Sequence, residues 1–289
     1  MIPPIDVLNL RKKLIRQPFE HKGSGGRIVI IGGQNGMTGA LTLAGIGALY
    51  SGAGWVELGF LANPYPLLIS EHPELMIHRA KNIKMNDADV IAIGPGMGVD
   101  SEAKSLVQQA LLSSQTLVLD ADALNLISQN SELLELLKNR SADSVLTPHP
   151  GEAARLLNLS TADIQAEREK SIRALIEKTQ AIVVLKGSGT LCGSPHNPTE
   201  ICLRGNSGMG SGGMGDTLTG IIAALIAQGA KRGINTWDAT RLGVEIHALA
   251  ADQLVLGNNN LGHPLGPIGL TASEVALEVR HILNSTEKL

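Results

Sequence analysis

Aromatic residues are nearly missing from this chain: two tryptophans, two tyrosines and two phenylalanines among 289 residues. With 43% of the sequence apolar, the core must be aliphatic, built from Leu, Ile, Val and Ala. Cysteine is equally scarce. Cys192 and Cys202 flank an expected hairpin in a chain without a secretion-type leader, and they read as free thiols in a reducing compartment. The formal net charge is −3 and no run of Lys or Arg occurs, which argues against a nucleic-acid or membrane-surface role. Long hydrophobic runs are missing as well. Leu218–Ala227 is about half of the ~20 residues that a membrane span needs. The apolar stretch after Ala40 is interrupted by Ser51-Gly52-Ala53-Gly54 and Glu57. At the N-terminus, "MIPPIDVLNLRKKLIRQ" places its charges after its apolar residues, the reverse of a signal peptide. It reads as a short amphipathic lead-in helix. These absences leave a cytoplasmic protein, expected as one domain over 1–289 because no linker, repeat or charge block divides it.

What is abundant is glycine, 33 residues placed in distinct turns. Short β-branched runs end in these turns: 27–33, 55–60, 89–96, 116–122, 144–151 and 181–189 read as buried strands. Helical patterns lie between them, over Ala40–Tyr50, Ser101–Leu112, Glu132–Lys138 and Thr161–Lys178. This alternation predicts right-handed βαβ crossovers and a mostly parallel sheet with helices on both faces. "TLCGSPHNPTEICLRG" then reads as an antiparallel hairpin, followed by helices over Asp216–Gln228 and Trp237–Leu256 and a surface loop over 256–269. The last helix opens at "TASE", where Thr271 and Glu274 have capping-box spacing. In such sheets the ligand crevice lies outside the carboxyl ends of the strands, so the Gly-, Pro- and Asp-rich loops are expected to converge there.

Six glycines fall within the eleven residues Gly205 to Gly215, directly before an apolar helix. Gly210-Ser211-Gly212-Gly213-Met214-Gly215-Asp216-Thr217 has the spacing of a P-loop, with aspartate in place of the lysine. Free amides at the helix start and the positive end of its dipole make an anion site; an ordinary N-cap by Asp216 or Thr217 is the plainer alternative. A lysine there would only bind phosphate, whereas Asp216 can orient a hydroxyl and accept its proton while the amides hold phosphoryl charge.

Other segments carry weaker signals. "VVLKGSGT" puts Lys186 at a strand end before a tight turn, either a solvated hairpin lysine or a nucleotide-phosphate contact. In "LTPHPGEAARLL", His149 sits between two prolines, and Glu152 either complements a helix dipole or holds Mg²⁺ through water. Asp120 and Asp122 in "LVLDADALN" either cap the next helix or hold a metal, and His247 lies among apolar helical residues as a structural side chain. Gly32-Gly33-Gln34-Asn35-Gly36 departs from G-x-G-x-x-G, and no second strand ends in the acidic residue that dinucleotide binding requires. Neither zinc-ligand spacing nor a G-x-S-x-G elbow occurs.

Taken in order, "HKGSGGRIVIIGGQNGMTGALTLAGIGALYSGAG", "IGPGMG", "LDADALN", "TPHPGEAARL", "LKGSGT" and "GSGGMGDTLTG" resemble the NAD(P)H-hydrate dehydratase family, over nearly the whole chain. The resemblance implies a ribokinase-like three-layer sandwich. It also implies dehydration of the S epimer of hydrated NADH or NADPH (NADHX, NADPHX) at the expense of ADP in bacterial members or ATP in eukaryotic ones, with Mg²⁺. Asp216 would be the general base, with the amides of Gly213, Met214, Gly215 and Asp216 as the anion hole. Lys186, Gly187, Ser188, Gly189, Thr190 and Gly215 match the family's adenine-nucleotide site. Ala40, Gly98, His149 and Asp216 match its hydrate-binding positions, and Glu152 its magnesium-associated glutamate. His149 stands where many sugar kinases have Asn, so their Mg²⁺ geometry does not carry over directly. Asn206-Ser207-Gly208 replaces the family's frequent Asn-Pro-Gly, and a more flexible approach to the loop is expected. The chain length leaves no room for a fused epimerase, so a separate epimerase partner is expected, and family habit suggests a homo-oligomer such as a tetramer. Two other readings use the same residues: a kinase of a small alcohol or vitamin precursor, and a nucleotide sensor that no longer needs Asp216.

Overall fold

The computed structural model describes residues 2–259 and 262–285. Of the expected surface loop over 256–269, residues 260 and 261 lie outside the described residues. One nine-stranded sheet runs through the molecule. Its strands are β1 Arg27–Gly32, β2 Trp55–Phe60, β3 Met76–Arg79, β4 Val90–Ile93, β5 Thr116–Leu119, β6 Ser144–Leu146, β7 Ile182–Leu185, β8 Leu191–Ser194 and β9 Asn197–Ile201. They lie in the order β3-β2-β1-β4-β5-β6-β7-β8-β9, parallel from β3 to β7 and antiparallel from β7 to β9. The helices are α1 Thr38–Tyr50, α2 Ser101–Leu112, α3 Ala121–Gln129, α4 Ser131–Lys138, α5 Pro150–Leu157, α6 Thr161–Ala166, α7 Arg168–Thr179, α8 Met214–Ala230, α9 Thr236–Leu256 and α10 Ala272–Asn284.

Alternation within β1 shows why the sheet is covered on both sides. Ile28 and Ile30 enter one aliphatic cluster with α1, α8, α9 and α10, while Val29 and Ile31 enter the other with α2 to α7. Successive side chains point to opposite faces, so every residue of such a strand must be apolar. The result is the expected three-layer sandwich with a mostly parallel sheet.

Several local expectations are corrected. The strand expected over 144–151 ends at Leu146, because Pro148 and Pro150 cannot continue a ladder. The helix expected over Thr161–Lys178 is two helices, broken at Glu167. The lead-in segment forms a 3-10 helix over Leu8–Leu14, and its Arg11 guanidinium is buried against the backbone end of α10, donating to the Ile282 carbonyl oxygen. Edge strand β3 falls where no strand was expected; it is four residues long and only partly buried. At the other end, the Thr271–Glu274 capping box closes on α10 as expected.

The chain turns back between β1 and β4. Connections β1–β2–β3 run one way, and β4 then pairs on the other side of β1. A crevice must open there at the strand carboxyl ends. Its roof is α8, held very close to α1: a methyl group at Gly220 would overlap the Ala44 carbonyl oxygen. We therefore expect Gly220→Ala to destabilise the fold by about 1–3 kcal/mol through overpacking, despite alanine's better helix propensity. Gly39→Ala, with nothing within 4 Å of the added carbon, should be neutral or slightly stabilising. Urea unfolding of both variants checks the contrast.

Candidate active site

The glycine-rich loop ends in a turn that only glycine adopts readily. Gly213 is the N-cap of α8 at φ 89°. No side chain caps this helix, so neither Asp216 nor Thr217 plays the plainer capping role. The first closing bond runs from the Thr217 amide to the Gly213 carbonyl, and the amides of Met214, Gly215 and Asp216 belong to the unbonded first turn. The approach to the loop is anchored, contrary to the flexibility expected from Asn206-Ser207-Gly208. Asp252 on α9 accepts from the Gly205 amide (2.8 Å) and Asn206 Nδ2 (3.0 Å), the Asn206 side chain caps a 3-10 turn over Ser207–Gly210, and Ser211 Oγ donates to the Leu270 carbonyl (2.9 Å).

Lys186 leaves the end of β7 and reaches across β6 to Asp120 at the end of β5. Its Nζ lies 2.8 Å from Asp120 Oδ1, and Thr219 Oγ1 of α8 donates to the other oxygen, Oδ2, at 2.8 Å. Asp120 is 1% exposed. It stands before α3 without capping it, so its function here is to receive the lysine and the threonine. Burial opposes the charge on Lys186, but the carboxylates of Asp120, Glu152 and Asp216 outweigh it and hold its pKa above the ordinary value. A side-chain carbon on Gly215 would come within 3.1 Å of Nζ. Gly215 thus lets the ammonium stand directly beside the amides of the α8 first turn.

Asp216 is partly buried beside this pair. Burial, and then the negative charge of Asp120, raise its pKa; Lys186 pulls it back, and Glu152 and Asp122 add to the rise, leaving it at about 6. Such a carboxylate is ionised at neutral pH yet basic enough to take up a proton.

The turn Lys186–Thr190 is held from behind by Arg168, whose guanidinium donates to the carbonyl oxygens of Leu185 (3.0 Å), Lys186 (3.3 Å) and Gly189 (3.1 Å). The break at Glu167 is what places Arg168 at the head of α7. On the other side of the crevice, a carbon added to Gly96 would come within 3.1 Å of Ala40 Cβ in the first turn of α1, and the Gly98 amide donates to Asp122 Oδ2 at 2.9 Å. His149 is the N-cap of α5. Its Nδ1 accepts from the Gly151 amide (2.9 Å), which leaves the proton on Nε2, 3.2 Å from Glu152 Oε1; the His149 amide donates to Glu152 Oε2 (2.7 Å). Glu152 is 4% exposed. Among the described residues no group of three or more His, Cys, Asp or Glu side chains could hold a metal ion by itself.

Lys186, His149 and Glu152 at the strand carboxyl ends thus gather with Asp216 on the first turn of α8, where Gly213, Met214 and Gly215 also lie, while Ala40 and Gly98 lie on the other side of the crevice. Three contributors were missed by sequence reasoning. Thr219 carried no signal beyond being polar in an apolar helix. Arg168 looked like one more charge on an exposed helix, and Asp120 was left between cap and metal ligand. Elsewhere, both cysteines are buried and free, and no helix among the described residues is long and apolar enough to cross a membrane.

Comparisons with known proteins agree with this architecture. The family described as NAD(P)H-hydrate dehydratase matches residues 28–264. A bifunctional NAD(P)H-hydrate repair enzyme of Coxiella burnetii is 39% identical over 269 residues, 91% of this chain and 51% of that protein. The ADP-dependent (S)-NAD(P)H-hydrate dehydratase of Neisseria meningitidis is 36% identical over 94% of this chain and 90% of its own length. The chain thus spans about half the length of its bifunctional relatives. Among solved structures, the ADP/ATP-dependent NAD(P)H-hydrate dehydratase of Bacillus subtilis, co-crystallized with ATP/Mg2+, superposes with a TM-score of 0.81 at 26% identity, covering 97% of both chains. A ribokinase-like superfamily protein from Enterococcus faecalis gives a TM-score of 0.78 at 25% identity, covering 97% of this chain and 95% of its own. Fold, site and matched sequence lead to one assignment: the chain belongs to the NAD(P)H-hydrate dehydratase family.

Proposed function

We propose that this chain converts the S epimer of hydrated NADH or NADPH back to NAD(P)H, consuming ADP and releasing AMP and phosphate. The observation that carries the proposal is a carboxylate of raised basicity, Asp216, at the first turn of an uncapped helix and beside a charged lysine. Asp216 accepts the proton of the ring hydroxyl as that oxygen attacks the β-phosphorus of ADP; the bond from the β-phosphorus to the bridging oxygen breaks and AMP leaves. The amides of Gly213, Met214, Gly215 and Asp216, together with Lys186, stabilise the charge on the transferred group. The ring nitrogen's electron pair then expels phosphate, and a proton leaves the neighbouring ring carbon to restore the reduced nicotinamide.

Lys186-Gly187-Ser188-Gly189-Thr190 and Gly215 bind ADP in this scheme, while Ala40, Gly98, His149 and Asp216 line the hydrate side. Mg²⁺ keeps most of its waters and binds through few carboxylates plus substrate phosphates. Glu152 fits that role through water: it is acidic and close enough to act on both Lys186 and Asp216, though its own oxygens are engaged by His149. When bound, the ion would neutralise phosphate charge. We place the reaction in the cytoplasm, where buried free thiols persist. The domain over 1–289 would act within a homo-oligomer, a tetramer, in partnership with an NAD(P)H-hydrate epimerase that supplies the S form.

Hydrated NADH mixed with the protein, Mg²⁺ and ADP should regain reduced-nicotinamide absorbance with AMP and phosphate released in equal amounts. Folded protein that binds ADP yet gives no recovery with ADP or ATP would overturn the proposal in favour of a small-alcohol kinase, whose product is a stable phosphate ester.

Asp216→Asn should lower turnover by about 10²- to 10⁴-fold, the usual range for a general base, while calorimetry still detects ADP binding. Because the base must be ionised, kcat/KM should fall with decreasing pH below about 6 and level off above it; a limb near the ordinary aspartate value would assign the base elsewhere.

A further inference from the structure

His247 lies on α9 among apolar side chains of the helical layer. It is 4% exposed, and its Nε2 has no hydrogen-bond partner among the described residues. A buried polar atom left without a partner is unfavourable by about 1–3 kcal/mol, so the position asks for an explanation.

Its place in the fold supplies one. Helices α8 and α9 are joined by the short turn 231–235 and run back against each other. A carbon added to Gly243 would lie 2.9 Å from Ile222 Cγ1, which sets the level at which the two helices touch. One turn toward the anion loop on each helix brings His247 level with Leu218, on the face that also carries Gly215. Gly215 is the residue whose missing side chain leaves room for Lys186 Nζ. Burial first, and then the Lys186 ammonium, push the imidazole down to about 4, so it is neutral. Other charges on α9 are engaged elsewhere: Arg241 pairs with Asp238 and with Glu200, Glu245 pairs with Arg204, and Asp252 holds Gly205 and Asn206.

The lysine has donors to spare. An ammonium carries three N–H groups, and among the described residues Asp120 Oδ1 is the single side-chain acceptor bonded to it. We propose that His247 is a positioning residue for Lys186: its neutral imidazole accepts a hydrogen bond from Nζ when a nucleotide phosphate draws the ammonium from Asp120 toward the first turn of α8. The imidazole then fixes the direction of the ammonium without adding charge, which a carboxylate at that place could not do beside an incoming phosphate. This rests on the nucleotide site proposed above, and its readouts separate the two.

The test compares His247→Leu, which fills the space without an acceptor, with His247→Gln, which restores one. ADP affinity by calorimetry should fall about 10- to 100-fold in the leucine variant, the range for a hydrogen bond to a charged group, and largely return in the glutamine variant. Thermal unfolding should be similar in the two. With ADP saturating, so that the nucleotide is already bound, the acid limb of kcat/KM for the hydrate should also move above that of the wild type in His247→Leu. A less firmly held Lys186 offsets the raising effects of burial, Asp120, Glu152 and Asp122 on Asp216 less well, and glutamine should bring the limb back. Equal ADP affinity in both variants and the wild type would overturn the proposal, as would equal losses in both with a matching loss of thermal stability. Because ADP binding is read without turnover, an absence of dehydration in the wild type would count against the proposed reaction while leaving the lysine's positioning measurable.

Discussion

The ion pair between Lys186 and Asp120 is the constraint on which the site depends. It joins the ends of β7 and β5 across 66 residues of sequence, and Thr219 ties the same carboxylate to α8. Three elements that meet only in the folded chain are thereby fixed around one buried carboxyl group. Removing either charge would leave the other buried without its partner, which is far less favourable than the pair itself. The same pair adjusts the chemistry of its neighbour: burial raises the basicity of Asp216 most, Asp120 adds to the rise and Lys186 limits it. A carboxylate poised near neutrality is the product of burial and these two opposing charges.

Close helix packing delivers this geometry. The apolar side chains of the layer are almost all aliphatic, and α8 lies against α1 with glycine at the contact, so the first turn of α8 is lowered to the level of the strand ends. There Gly215, having no side chain, leaves room for Lys186 Nζ against the first turn. Arg168 holds the lysine's turn from below, and Asp252 holds the glycine loop from above. In the proposed reaction, rigidity around this uncapped helix end is what would make the loop an anion site rather than a loose connection.

Much of this was legible in the sequence, for physical reasons that can be named. Both faces of the sheet are covered, so buried strands such as Ile28–Ile31 appear as unbroken apolar runs, and the glycine loop before an apolar helix has few other uses. Edge strand β3 was missed because Met76–Arg79 is short and half polar, with no continuous run to mark it. The break at Glu167 was missed because the helical pattern continues through it and only the tertiary position of Arg168 explains it. Asp120, Asp122 and Lys186 could each be seen as chemistry-bearing, but a pairing across many intervening residues has no local signature. For the same reason Asp122 was not recognised as the acceptor for the Gly98 amide.

The most direct measurement is a double-mutant cycle on Asp120 and Lys186, using Asp120→Asn, Lys186→Met and the combined variant, read as unfolding free energy in urea. Each single replacement should be destabilising by about 3–5 kcal/mol, as for other broken buried pairs. The combined variant should be less damaged than the sum of the two by about 1–3 kcal/mol, the coupling expected of groups in direct contact. Additive losses would contradict the account, because they would mean that Lys186 and Asp120 hold their places independently and that the buried pair does not organise the site.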